Sequence, residues 1–239
     1  MKKFRNFEFQ QSVFGFSMIE LSICFIIIGF LITGIVGSKT LLENAKIRAF
    51  INELNDYKQA VAIFYSTKKR YPGDFNNDGY FGRCDAGSGC KSDVYTASSF
   101  KSPYNISNIN KEIGGFIELY LMGLINAKPK IVGNTVQSPH SKIYKKGVFK
   151  FYSYGNTDSA SSSSFYYKMK NASPYLNFYN SSADYRQTEI FKLVDEKIDD
   201  GEYNAGDVRA YSISPHKTYE EAIKAKKRLT DLYYNVGVR

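Results

Sequence analysis

The amino-acid sequence predicts an α+β protein with a long N-terminal helix, a small antiparallel sheet and a C-terminal helix. Three observations lead to this prediction. An apolar run begins at Phe16, and no proline interrupts the chain from there to Pro72. Aromatic and polar side chains alternate around a serine run within residues 143–180. A capping box from Thr218 to Glu221 opens a last amphipathic stretch.

The apolar run is long enough to cross a bilayer. Eighteen residues without a charge separate Glu20 from Lys39, close to the ~20 that a transmembrane helix needs. Basic residues precede the run, which places the N-terminus in the cytoplasm. An ordinary secretory signal or signal anchor has the same start, but this run exceeds a typical signal core and no small-x-small cleavage site follows it.

The segment after Lys39 predicts a continuation of the same helix, with one apolar stripe packed on a folded head. The Tyr71-Pro72-Gly73 sequence ends it. The stripe consists of Leu42, Ala45, Ala49, Leu54, Tyr57, Val61 and Phe64.

Three further elements follow along the chain. Residues 112–125 have a broad apolar face and predict a short second helix. The alternation in residues 143–180 predicts an antiparallel hairpin or meander. After Thr218, the spacing of Ile223, Leu229, Leu232 and Val236 predicts a terminal helix that covers an edge of the sheet.

Glu20 is the most informative residue of the apolar run. A carboxylate in a bilayer helix costs on the order of 2–3 kcal/mol unless it is paired or protonated. Cleavage after Gly15 would give Phe16 a new amino group and make Glu20 the fifth residue of the mature chain. The sequence Gly-Phe-Ser-Met-Ile-Glu-Leu, followed by an apolar helix, resembles the type IV prepilin signature of pilins and type II secretion pseudopilins.

The resemblance implies a pilin-like fold, in which the long N-terminal helix packs on an antiparallel head. It implies that a prepilin peptidase cuts between Gly15 and Phe16 and methylates the amine of Phe16, and that Glu20 sets the register of subunits during assembly. The implied segments are a leader (1–15), a transmembrane and assembly half of the helix (16–38), an amphipathic half (39–71) and a periplasmic globular head (72–239).

The implied function is structural. The chain would be an inner-membrane subunit of a type II secretion pseudopilus or of a type IV pilus-like filament, contacting like or related pilin subunits through its N-terminal helix. Two other functions fit the same features: a minor pilin that serves in DNA uptake or adhesion, and a monomeric membrane-anchored periplasmic protein. No catalytic constellation accompanies His140 or His216, so we expect no enzyme.

The net charge of +9 does not separate these functions, because lipid, a neighbouring subunit and DNA all suit a basic chain. The aromatic and lysine-rich residues 143–180 also suit single-stranded nucleic acid. Exposed tyrosines and core phenylalanines explain the same composition without any nucleic acid.

Two acidic segments are chemically suited to calcium, the cofactor that the sequence suggests. Asp74, Asn76, Asp78 and Asp85 take positions one, three, five and twelve of an EF-hand-like loop. A plain Asn/Asp/Gly turn needs the same residues.

The second acidic segment resembles a branch of prepilin-like secretion proteins, and calcium is bound near the C-terminal end of the head in major pseudopilins. Asp195, Asp199, Asp200 and Asp207 are the residues suited to that role. A solvated acidic turn explains them equally well.

Cys84 and Cys90 would close a ring of seven residues. A disulfide there requires an oxidising compartment, which the predicted periplasmic location of the head supplies. Cys24 lies in the apolar run, where a small packing residue is expected.

Overall fold

The computed structural model describes residues 15, 17–74, 83–84, 111–132, 135–154, 173–181, 185–203, 205–211 and 218–237. The chain divides into two units, Met1–Ala45 and Lys46–Arg239. Its fold class is α+β, with one long apolar N-terminal helix and a small, mainly antiparallel sheet, as the sequence predicts.

Helix α1 spans Met18–Lys68, a length of 51 residues. It ends where Lys69 adopts a left-handed backbone conformation, with a φ of 59°, just before the predicted Tyr71-Pro72-Gly73 break. The buried stripe of its second part confirms four predicted positions, Leu54, Tyr57, Val61 and Phe64, and adds Ile47 and Phe50. The predictions that Leu42 and Ala45 belong to this stripe are wrong, because both residues are exposed and precede the folded unit.

Helix α2, Lys111–Leu121, forms where the sequence predicts a second helix. An ion pair connects it to the end of α1: the Arg70 guanidinium donates to both carboxylate oxygens of Glu118, at 2.9 and 2.5 Å. The amide of Gly73 also donates to Glu118, at 2.7 Å. This buried carboxylate therefore fixes the turn that follows α1.

The main sheet has five strands in the order β1-β4-β5-β7-β6. Strand β1 pairs parallel with β4, and the other pairs are antiparallel. The hairpin of β4 and β5 confirms the predicted antiparallel structure in residues 143–180. The strands are β1 Arg83–Cys84, β4 Val148–Tyr154, β5 Ser173–Tyr179, β6 Val208–Tyr211 and β7 Asp231–Asn235, and the separate pair is β2 Lys130–Val132 and β3 Thr135–Gln137.

The core lies between α1 and one face of the sheet. The Phe50 ring contacts the Phe178 ring edge-on, with centroids 4.9 Å apart. The Tyr57 ring lies 4.9 Å from that of Phe149. Leu176 and Leu232, on neighbouring strands, complete this apolar face. Aromatic side chains therefore supply much of the burial that holds the folded unit together.

The predicted terminal helix is wrong beyond Lys224. Helix α3 is Arg186–Ile198, and helix α4 is only Tyr219–Lys224. The predicted cap of α4 is confirmed, because Thr218 Oγ1 accepts the amide of Glu221. The chain then forms β7 between β5 and β6.

Burial on both faces of the sheet explains why this segment is a strand and not a helix. Leu232, Tyr233 and Tyr234 are consecutive and all at least 95% buried, at 1%, 5% and 4% exposure. Successive strand residues point to opposite faces of a sheet, so a central strand covered on both faces buries all three. Aromatic residues also favour strands. The helical spacing of Leu229, Leu232 and Val236 identified buried positions correctly but assigned them the wrong element.

Gly147 packs closely against the ring of Phe178, and this contact predicts how a substitution changes stability. A Cβ atom added there would overlap two ring carbons of Phe178. We expect Gly147→Ala to lower the free energy of unfolding by about 2 kcal/mol, because added atoms in a close-packed core force side chains and backbone to shift. Urea unfolding measures the change. Phe178→Leu should offset part of it, so a double variant whose loss equals the sum of the single losses would contradict this contact.

Candidate functional site

The start of α1 contains the residues of the predicted processing and assembly motif. Gly15 is exposed, and Phe16 lies outside the described residues. Glu20 lies in the first turn of the helix. Its carboxylate accepts the amide of Ser17 at 2.8 Å, and Ser17 Oγ accepts the amide of Ile19 at 3.2 Å.

These two bonds make Ser17 and Glu20 a reciprocal helix cap, since each side chain accepts an amide that the helix leaves without a backbone partner. The sequence contains the Ser-x-x-Glu signal of this cap, but the sequence prediction placed Glu20 only against a neighbouring subunit. The cap gives Glu20 a function within its own chain. Oε2 of the carboxylate accepts this bond, and within the described residues no hydrogen bond reaches Oε1.

The first part of α1 exposes a continuous apolar surface. Among its large apolar side chains, Met18 is 88% exposed, Phe30 76% and Ile35 59%. The hydroxyls of Ser22 and Thr33 donate to backbone carbonyls of their own helix, at 2.8 and 2.9 Å. By length and composition, this helix is able to cross a membrane. Its internal hydrogen bonds leave few polar groups unsatisfied in lipid.

The second candidate site is the acidic loop after α3. Carboxylate oxygens of Asp195, Asp199 and Asp200 lie within 4.8 Å of one another. Asp195 is buried, Asp199 half-buried and Asp200 exposed. Gly201 and Gly206, with φ values of 74° and 62°, turn the loop through the left-handed region that suits glycine. The structure thus brings together three of the four predicted carboxylates.

Asp207, the fourth predicted ligand, takes another role. Its side chain accepts Asn235 Nδ2 at 3.0 Å and lies 3.8 Å from the Lys58 ammonium. Its amide and that of Val208 donate to Asp199. Asp207 therefore connects the acidic loop to β7 and to α1.

The carboxylates of the acidic loop already accept hydrogen bonds from the protein. Asp195 accepts the Tyr219 hydroxyl at 2.8 Å and the Gly201 amide at 3.2 Å. Asp200 accepts the amide of Glu202 at 2.8 Å. Calcium commonly takes six to eight oxygen ligands. The three carboxylates are chemically suited to this cation, and their existing bonds show that they also shape the loop.

Burial perturbs the titration of this cluster. The pKa of Asp195 is raised from 3.8 to about 7, chiefly because burial removes the carboxyl from water. Its hydrogen bonds from Tyr219 and Gly201 lower this pKa, and the charges of Asp199 and Asp200 raise it. Burial and the facing Asp195 also raise the pKa of Tyr219. Asp195 therefore titrates near neutral pH.

Most of the first predicted calcium loop lies outside the described residues, which exclude Asn76, Asp78 and Asp85. Asp74 is buried, and its amide donates to the Tyr71 carbonyl at 3.1 Å. The predicted disulfide between Cys84 and Cys90 stays a prediction, because Cys90 lies outside the described residues. Cys84 belongs to β1.

A cleft beside α1 has no counterpart among the sequence predictions. It has a volume of about 260 Å³ and is lined by Asp56, Tyr57 and Ile63 of α1, by residues 124–127 and by Lys142. The carboxylate of Glu53 closes one side. It accepts Ser141 Oγ at 2.6 Å and the amide of Lys142 at 2.8 Å. This buried carboxylate fixes a loop 88 residues away in sequence.

Comparisons with known proteins do not add to this geometry. No family model, no curated protein and no solved structure matches the chain. The two candidate sites are therefore the capped start of the apolar helix and the acidic loop after α3, and the chemistry of their residues is the basis for function.

Proposed function

We propose that this chain is a structural subunit of a type II secretion pseudopilus or a type IV pilus-like filament. A prepilin peptidase of the inner membrane would remove residues 1–15 and methylate Phe16. The observation that carries the proposal is the exposed apolar surface of α1, which begins two residues after Phe16 and carries Glu20 in its first turn.

An apolar surface of this extent is unfavourable in water, so lipid or protein must cover it. Lipid supplies it while the helix lies in the inner membrane, and the same helices of neighbouring subunits supply it in a filament. Glu20 is the only charged residue between Glu8 and Lys39. A carboxylate without an opposite charge beside it costs on the order of 2–3 kcal/mol in the bilayer, and the methylated amine of Phe16 on a neighbour would offset that cost. The head, in the periplasm, then follows its helix into the filament.

One observation favours a second candidate function, a monomeric membrane-anchored protein. The cap of Ser17 and Glu20 satisfies one carboxylate oxygen inside the chain. A helix cap alone gives a sequence reason for a Glu at this position. The two functions differ in whether the charge of Glu20 or only its hydrogen-bonding capacity is needed.

The proposed processing predicts the mass of the N-terminal peptide of the protein isolated from its own membranes. We expect a chain that begins at Phe16 and carries one added methyl group on its amine. Gly15→Leu should instead retain the leader, because the peptidase would no longer find its cleavage residue. A wild-type chain that keeps Met1 would indicate a static anchor, and one that begins near Ser38 would indicate a secreted protein. Either result would contradict the filament proposal.

A further inference from the structure

The turn that follows α4 presents four basic side chains to solvent. Lys224, Lys226, Lys227 and Arg228 are all exposed, as is Ala225 between them. We name residues 224–228 the basic turn. Such a density of one charge sign on a fixed segment is a candidate surface for an anionic partner.

Three of these cations have no acidic partner in the described part of the chain. Lys224 lies near Glu220, whose pKa is lowered chiefly by its hydrogen bond from Lys192 and to a smaller extent by Lys224. No ion pair between described residues involves Lys226, Lys227 or Arg228. The surface thus has a local excess of positive charge.

The backbone of the basic turn is fixed by its surroundings. The amide of Lys227 donates to the carbonyl of Ala222 at 2.9 Å. Thr188 of α3, which is buried, donates to the Lys227 carbonyl at 2.8 Å and accepts the amide of Leu229 at 3.2 Å. A partner would therefore meet side chains on a preorganised backbone, which lowers the entropy lost on binding.

The backbone conformation of Lys226 is a second observation on the basic turn, independent of its charge. Its φ of 49° is in the left-handed region, where a helix commonly ends in glycine. A lysine in this conformation is strained relative to glycine. Strained backbone conformations concentrate at functional positions, and here the strain places a cation at the tip of the turn.

We propose that the basic turn docks the folded unit on an anionic phospholipid surface. The inference rests on the membrane insertion of α1, which is part of the proposed function. Near an anionic leaflet, each basic residue strengthens binding roughly fivefold, so three give on the order of a hundredfold.

A hundredfold gain from three basic residues is still weak binding. A soluble polyanion such as nucleic acid would therefore remain largely unbound. A head tethered to the bilayer by α1 meets the lipid surface at an effective concentration on the order of millimolar. The weak individual contacts then suffice to orient the head, and this argument favours the membrane over DNA.

The chain contains no Trp, so Ala225→Trp places a single fluorescent reporter in the basic turn. The full-length reporter protein is inserted into phosphatidylcholine vesicles with or without phosphatidylglycerol, each containing a trace of dansyl-labelled lipid. We expect energy transfer to the dansyl group to rise about twofold with phosphatidylglycerol and to return to its lower value in high salt.

Three variants control this measurement. Lys226→Glu with Lys227→Glu in the reporter protein should abolish the rise. Lys226→Gly, which suits the left-handed backbone and so keeps the fold, should reduce the rise partially. A reporter at Val132, which is 49% exposed on β2, should show no dependence on phosphatidylglycerol.

Equal energy transfer in both vesicles would overturn the proposal. So would a rise that survives the double charge reversal, or a response to single-stranded DNA without any response to phosphatidylglycerol. Vesicle flotation separates the two levels of failure. A chain that does not float with the vesicles overturns membrane insertion and docking together, whereas a floated chain with unchanged transfer overturns docking alone.

Discussion

Glu20→Gln is expected to abolish incorporation of the chain into filaments while its membrane insertion and the stability of its head stay unchanged. Glutamine serves in a capping box as glutamate does, so its side-chain carbonyl still accepts the Ser17 amide. The substitution removes only the charge. Pairing of that charge with a neighbour relieves a cost of about 2.5 kcal/mol or more, and its loss weakens association nearly a hundredfold per subunit.

The measurement is the fraction of the chain in sheared filaments, from cells that express the complete assembly machinery, with the membrane fraction as reference. Ser17→Ala is the matched control. It removes the other half of the cap at a cost of about 1 kcal/mol to the helix start, keeps Glu20 charged and should leave incorporation nearly intact. Normal incorporation of Glu20→Gln would show that assembly does not need the charge of Glu20, whereas absence of the wild-type chain from sheared filaments would support the monomeric anchor instead.

The sequence predicted the elements whose causes are local. The length of α1, its end before Pro72 and the cap at Thr218 follow from neighbouring residues. Alternating side chains located the hairpin of β4 and β5 in the same way.

The elements that were missed depend on distant partners. Leu229, Leu232 and Val236 are buried in the structure. A helix and a strand would both bury them, so their spacing does not distinguish the two elements. Strand β7 forms because β5 and β6 each offer it an edge, through register pairs such as Phe178 with Leu232 and Ala210 with Leu232. No local pattern contains that information.

The same limit applies to the buried carboxylates. Glu53 and Glu118 appear in the sequence as ordinary charged positions on two helices. Their partners, Ser141 and Arg70, lie 88 and 48 residues away. The acidic loop was predicted from its composition, but the grouping of Asp195 with Asp199 and the separate role of Asp207 depend on the turns at Gly201 and Gly206.

Asp195→Asn is expected to remove much of the pH dependence of stability between about pH 4 and pH 7. Burial raises the pKa of Asp195 from 3.8 to about 7 on folding. The folded chain therefore binds this proton more tightly than the unfolded chain does. The resulting stabilisation is complete below the unfolded pKa and is lost as the pH rises through the folded pKa.

The full loss for Asp195 amounts to about 4 kcal/mol at most, since each pKa unit corresponds to about 1.36 kcal/mol. Asparagine is neutral and isosteric, so it keeps an acceptor for the Gly201 amide, and its NH₂ group can donate to the Tyr219 oxygen. The variant should thus approach wild-type stability at low pH and exceed it near pH 8. Urea unfolding across this range, in the presence of a chelator, measures both slopes.

Asp200→Asn is the matched control, because Asp200 is an exposed neighbour in the same loop. It removes one nearby charge and should preserve most of the slope. A smaller slope should also persist in Asp195→Asn, because burial likewise raises the pKa of Asp231. If Asp195→Asn retained the full wild-type slope, the neutral-pH titration would belong to another group, and Asp195 would be ionised throughout this range because its hydrogen bonds outweigh its burial.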